Sequence, residues 1–108
     1  MKDKDFFADV YAIVKKIPRG RVTSYGAIAA CLSNKGAARM VGWAMNNSHK
    51  YQDVPAHRVV NRQGLLTGKH HFPTPKAMEE SLTSEGIQIK DNQILNFKNV
   101  FWNPNEEL

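Results

Sequence analysis

The sequence predicts an α+β domain, winged-helix-like, in which a helix-turn-helix is followed by a small terminal β-hairpin. Three observations carry that expectation. Apolar residues recur at helical spacing through the N-terminal half. Two short helical stretches there are separated by a tight polar turn containing Gly36. Towards the other end, two β-prone triplets flank Lys90-Asp91-Asn92. With 108 residues there is room for one core, and the chain reads as a single domain over 1–108.

Phe6, Val10, Ile13 and Ile17 fall on one helical stripe, with Phe7 and Val14 beside it. They predict an amphipathic helix from Asp3 to Ile17, stopped by Pro18-Arg19-Gly20. Arg21-Val22-Thr23 is a short extended link. Ser24 is placed to cap a helix over Tyr25–Leu32, because its hydroxyl can accept from a backbone N–H that the first turn leaves free. Ser33-Asn34-Lys35-Gly36 forms the turn. The next helix runs from Ala37 to Met45, with Met40, Val41 and Ala44 inward and Lys35, Arg39 and Asn46 outward.

Asn47–Asp53 reads as loop, Val54–Val60 as extended around Pro55, Asn61–Gly64 as a turn, and Leu65-Leu66 as a candidate strand. Thr74-Pro75 reads as N-cap and first residue of a fourth helix reaching Glu85, with Gly86 closing it. Ile87-Gln88-Ile89 and Gln93-Ile94-Leu95 are the arms of the hairpin, and Val100, Phe101 and Trp102 fold back over the core.

Charge narrows the function classes. The net charge is +5. Between Lys15 and Arg62 stand nine basic residues (Lys15, Lys16, Arg19, Arg21, Lys35, Arg39, Lys50, Arg58 and Arg62) against the single acid Asp53. Such a concentration suits a polyanion, or else a solvated basic face. No apolar run approaches the ~18 residues of a membrane span. Met1-Lys2-Asp3-Lys4-Asp5 opens no secretion signal, so an intracellular location is expected, cytoplasmic in a bacterium or nuclear in a eukaryote. One cysteine, Cys31, excludes an internal disulfide and sits in an apolar helical stretch as a small hydrophobe. Four scattered histidines give no zinc pattern, and the adjacent His70 and His71 would face opposite ways on a strand, so no metal and no organic cofactor are expected.

Val54-Pro55-Ala56-His57-Arg58-Val59-Val60-Asn61 resembles the Pro-Cys-His-Arg-Val motif of the O6-alkylguanine-DNA alkyltransferases, with alanine in place of cysteine. Upstream, Ile17 to Gly26 (IPRGRVTSYG) is similar to that family's approach to its helix-turn-helix, and Ala37 to Met45 (AARMVGWAM) to its recognition helix. The Arg39-to-Ala56 spacing fits without a gap, Glu85-Gly86 also falls in place, and the resemblance spans roughly Val10 to Ile89. The whole chain is therefore identified as a DNA-binding domain of the alkyltransferase C-terminal type. The matched region begins almost at residue 1, and this short form lacking the cysteine is similar to the alkyltransferase-like proteins. That resemblance implies binding of O6-alkylguanine in double-stranded DNA by base flipping, as a monomer, with the lesion handed to nucleotide-excision-repair proteins. It implies no alkyl transfer, since carbon transfer needs a thiolate-like nucleophile and Ala56 offers a methyl group.

The resemblance also assigns roles. Arg39 is the plug that fills the vacated stack, against a simpler role as phosphate contact or surface ion pair. Tyr25 pushes the backbone and touches the base edge, against a core aromatic with a satisfied hydroxyl. Gly26 and Ala27 offer N–H groups to phosphate. Met45, Tyr51, Ala56, Val59 and Lys69 line the flipped-base pocket, with Tyr51 stacking on the purine and Lys69 resting on its face or reaching its oxygen. His57 and Glu85 are the remnant of a proton relay that has no thiol to serve. Arg58 itself reads as a buried ion-pair former, against the alternative of a DNA contact. Replacing cysteine by alanine enlarges the space beside O6 and implies tolerance of larger alkyl groups. Three other readings remain: a Cys-to-Ala variant of an active alkyltransferase, a helix-turn-helix transcription factor reading duplex through Arg39, Asn46 and Asn47, and a hydrolase or transferase built on His57 and Glu85.

Overall fold

Phe6, Val10, Ile13 and Val14 form the buried stripe of α1 (Asp3–Val14). The structure is a computed structural model that describes residues 3–32 and 35–108, and the side chains of these except 3–5 and 35. Met1 and Lys2, the Ser33 and Asn34 portion of the turn and the outward side chain expected of Lys35 lie outside the described residues. Helix α1 stops at Val14 rather than Ile17. The backbone tightens there, Lys16 N–H donating to Ile13 O and Ile17 N–H to Val14 O, because Pro18 disfavours helical backbone in the residue before it. Ile17 stays buried all the same.

Ser24 caps α2 (Tyr25–Cys31) as expected, accepting from Ala27 N–H at 3.1 Å. Helix α3 (Ala38–Asn47) follows a tight turn over Lys35–Ala37. Ile28 and Ala29 of α2 and Val41, Ala44 and Met45 of α3 share one buried cluster with α1, which is how two short helices become stable without length of their own. Asn47 belongs to α3 and Ser48–Lys50 is a further helical turn, so the expected loop is shorter than 47–53.

The extended link before α2 is a strand. β1 (Thr23–Ser24) runs parallel to β2 (Val59–Val60), with Thr23 opposite Val59 and Ser24 opposite Val60. Val59 points into the α1–α3 cluster, whereas Val60 points into a second one made with Val22, Leu66, Met78, Leu82, Ile87 and Ile94. Alternation along a strand thus joins two cores across two residues.

The segment before β2 is not extended. Ala56–Arg58 forms a single tight helical turn, Arg58 N–H donating to Pro55 O at 3.0 Å. On a strand His57 and Arg58 would face opposite ways; the turn lets both reach one carboxylate.

Helix α4 (Ala77–Ser84) begins two residues later than Thr74-Pro75 suggested. Thr74 O accepts from Ala77 N–H at 3.2 Å, so Pro75 sits in a turn that its fixed φ favours rather than inside the helix. The end of α4 is as expected. Gly86 has φ +89°, its N–H bonds Thr83 O, and the Ile87 N–H bonds Leu82 O, the paired bonds of a left-handed helix stop.

The hairpin is tighter than expected. β3 (Ile89–Lys90) pairs antiparallel with β4 (Gln93–Ile94). Asp91 and Asn92 alone make the turn, at φ 53° and 66°, because both types tolerate the left-handed region that a two-residue hairpin requires. Leu65 joins as a single bridge to Gln93. The short helices α5 (Phe97–Val100) and α6 (Pro104–Glu107) complete the chain, and Trp102 is buried as expected.

Candidate functional site

Tyr25 opens α2 immediately after β1, while Ala56 and Val59 flank the start of β2, so the β1–β2 pairing brings these stretches together. Between them lies a pocket lined by Tyr25, Met45, Asn46, His49, Ala56, Val59, Gly68, His71, Phe72 and Met78. Four residues expected to serve the site (Tyr25, Met45, Ala56 and Val59) therefore meet on one wall system. The free volume left inside is 10 Å³, about one water molecule, so a purine does not fit in this state. His49 and Phe72, from the 48–50 and 69–72 segments, meet edge to face with ring centroids 4.6 Å apart. Tyr25 reaches across to the Gly68 backbone so closely that a Cβ at Gly68 would stand 3.1 Å from the hydroxyl oxygen.

Two expected pocket residues, Tyr51 and Lys69, are not among those that line this cavity. Tyr51 is half-exposed and packs on Tyr11, ring centroids 5.3 Å apart, along a separate groove formed with Phe7, Ala8 and Asn47. The helical turn at Ser48–Lys50 redirects the chain, and α1 supplies an aromatic partner that the linear sequence does not reveal. Lys69 starts the helical turn Lys69–His71, but its neighbours Gly68 and His71 line the pocket in its stead. Sequence reasoning missed Asn46, His49, Gly68, His71, Phe72 and Met78 as lining residues. For His71 and Phe72 the available signal was an apolar ring beside paired imidazoles, which becomes informative only once the turn's direction is known.

Behind Ala56 the Glu85 carboxylate, 3% exposed, is enclosed by donors. His57 Nε2 lies 2.6 Å from Oε2. Arg58 donates from Nε at 3.1 Å and from Nη2 at 2.9 Å, and its Nη1 donates to Ile17 O. Gly20 N–H donates to Oε1 at 2.8 Å. Burial pushes the Glu85 carboxyl up, but Arg58, Gly20 and His57 together outweigh it and hold it down at about 2. Since Glu85 is ionised it accepts only, so Nε2 of His57 carries the hydrogen. Arg58 is the ion-pair former that the sequence suggested.

Helix α3 presents Arg39, Trp43 and Asn46 on one side, at helical spacings of four and three. All three are exposed, Trp43 at 53%, and Asn46 brings this ridge to the pocket. Arg39 takes part in none of the ion pairs found among the described residues. The basic concentration is divided. Arg58 is committed to Glu85, Arg21 to Glu107 and the carbonyls of Val100 and Phe101, Arg19 to Ser84 O and Lys15 to Asp53. Ala27 N–H is committed too, since it donates to Ser24, whereas its neighbour Gly26 is exposed. Cys31 is partly buried and packs against the first core cluster. Among the described residues no group of three His, Cys, Asp or Glu side chains is arranged to hold a metal ion.

Residues 5–87 match the family described as 6-O-methylguanine DNA methyltransferase, DNA binding domain. The chain is 32% identical to alkyltransferase-like protein 1 of Schizosaccharomyces pombe, over 96% of this chain and 100% of that one. It is 34% identical to the DNA base-flipping protein of Escherichia coli, over 94% of this chain and 78% of that one. The fold is similar to the crystal structure of S. pombe Atl1 in complex with damaged DNA containing O6-carboxymethylguanine, with TM-score 0.84, 32% identity, and coverage of 94% and 98%.

Proposed function

The chain belongs to the family of 6-O-methylguanine DNA methyltransferase DNA-binding domains, and from that premise we propose that it recognises O6-alkylguanine in double-stranded DNA by holding the extruded base, without accepting the alkyl group. The observation that carries this reading is Ala56 in the pocket wall, with the His57–Glu85 pair intact behind it. A relay geometry with no sulfur at its end can support binding and has nothing to alkylate.

Extrusion costs a few kcal/mol of lost stacking and pairing. On this reading Arg39 offsets part of that cost by filling the gap, and Trp43, one turn further along α3, lies along the strand between the gap and the pocket. Tyr25 displaces the phosphate and Gly26 N–H contacts it. The base is held among Tyr25, Met45, Ala56, Val59 and Phe72, and the His49–Phe72 contact separates to admit it. Tyr51 and Lys69 lie outside this first ring of contacts. The handing of the lesion to nucleotide-excision-repair proteins, monomeric action and an intracellular location belong to the same proposal, and the likeness to alkyltransferase-like proteins is what supports them.

The deciding experiment is a gel shift on identical duplexes carrying guanine or O6-methylguanine, run beside mass spectrometry of the protein after incubation with the lesion. Preferential binding with an unchanged protein mass is expected. Equal affinity for the two duplexes, or a methyl group gained by the protein, refutes the reading.

A further inference from the structure

The polar groups lining the pocket are all able to donate: the Tyr25 hydroxyl, the Asn46 amide and the imidazoles of His49 and His71. The other lining side chains are apolar (Met45, Ala56, Val59, Phe72 and Met78), and among the described residues no carboxylate lines the pocket. The two imidazoles come from different segments, Ser48–Lys50 and Lys69–His71, so they approach the same space from two walls. Each of these turns carries one further cation, Lys50 and Lys69, and the second also carries His70. Both imidazoles belong to exposed residues at the rim, where a substituent on the base can meet them and where a proton can exchange with solvent.

We propose that His49 and His71 form an anion-accepting rim, so that this chain selects O6 substituents ending in a carboxylate over neutral substituents of the same size. The inference rests on the reading of the pocket as the holder of an O6-alkylated guanine. In the unbound protein, burial and then the neighbouring His71 hold His49 below the usual imidazole range. A carboxylate placed between the rings reverses that balance: it favours the imidazolium form, and each ring can then donate a charge-assisted hydrogen bond. Binding of such a lesion therefore takes up a proton, and its affinity rises as pH falls. A neutral substituent meets the same donors without that coupling.

The test uses the intact chain and fluorescence anisotropy on four duplexes carrying guanine, O6-methylguanine, O6-carboxymethylguanine or O6-carbamoylmethylguanine. The last two match in size and differ in charge. Titrations at about pH 6 and about pH 8 straddle the ordinary imidazole range. The carboxymethyl duplex is expected to bind roughly tenfold tighter than the carbamoylmethyl duplex at the lower pH, the worth of one charge-assisted hydrogen bond, with the gap narrowing at the higher pH. The carbamoylmethyl duplex controls for any general gain of DNA affinity on acidification. His49→Gln and His71→Gln should each shrink the ratio of carboxymethyl to carbamoylmethyl affinity, a ratio taken within one variant so that any general loss of binding cancels. Equal affinities of the size-matched pair at both pH values, or a charge preference that survives in both variants, overturns the inference and leaves the function standing. Loss of the methylguanine preference in the unaltered protein overturns both.

Discussion

Nε2 of His57 donates to Oε2 of Glu85 across 2.6 Å, and the same carboxylate also accepts from Arg58. Glu85 is therefore the shared acceptor of two consecutive side chains on the turn that carries Ala56. Its folded-state value of about 2 lies below the ordinary 4.5. A depressed carboxylate contributes stability that is present above the unfolded-state value and lost as pH falls through the folded one. Unfolding monitored by circular dichroism should show a loss of about 3 kcal/mol attributable to Glu85 between roughly pH 5 and pH 2. Glu85→Gln should be less stable at neutral pH and should flatten that part of the profile. An equally steep profile in the variant would assign the acid sensitivity to other groups.

Thr23 is fully buried in β1, and its hydroxyl has no hydrogen-bond partner among the described residues. A hydroxyl taken from water without a partner costs free energy, and valine has nearly its shape and suits a strand. Thr23→Val should stabilise the fold by about 1 kcal/mol in urea titrations. A lower midpoint than the parent would contradict this.

Of the two tryptophans, Trp102 is 3% exposed and Trp43 53%. Intrinsic fluorescence should therefore report on α3. Duplex containing O6-methylguanine is expected to quench the Trp43 emission, with Trp43→Phe removing the signal and retaining most of the affinity. Arg39→Ala should weaken binding to the same duplex by about 1–3 kcal/mol and reduce the lesion preference. If the emission is unchanged at saturation, the ridge is not the DNA-facing side.

Gly68 lies so close to the Tyr25 hydroxyl that a Cβ there would be 3.1 Å away. Gly68→Ala must push that hydroxyl by a few tenths of an ångström. Thermal stability should change by less than about 1 kcal/mol, while affinity for the O6-methylguanine duplex falls several-fold. Unaltered affinity would show that Tyr25 does not need its present position.

Much of the fold was readable from the residues, and the reasons are local. Ser24 capping α2, Gly86 ending α4 and the burial stripe of α1 depend on neighbours within a turn or two, where spacing is informative. The meeting of Tyr25, Met45, Ala56 and Val59 was legible through a resemblance of spacing to a known family, while the β1–β2 pairing is what brings their stretches together. What stayed hidden depends on partners far along the chain. Tyr51 is held by Tyr11, 40 positions earlier. Arg21 is held by Glu107, 86 positions later. The parallel pairing of Thr23 with Val59 left no mark in either stretch alone. Composition placed the basic residues in one half of the chain, but only the fold shows which of them are occupied internally.

The two-residue ladder between β1 and β2 also fixes the length of the chain around Ala56. Val59 belongs to one apolar cluster and Val60 to the other. Inserting or deleting a single residue between Pro55 and Val59 would either swap those two valines across the sheet or swing Ala56, His57 and Arg58 off their bearings. This stretch can exchange its side chains but not its residue count, because any change of register would carry Ala56 out of the pocket wall it now lines.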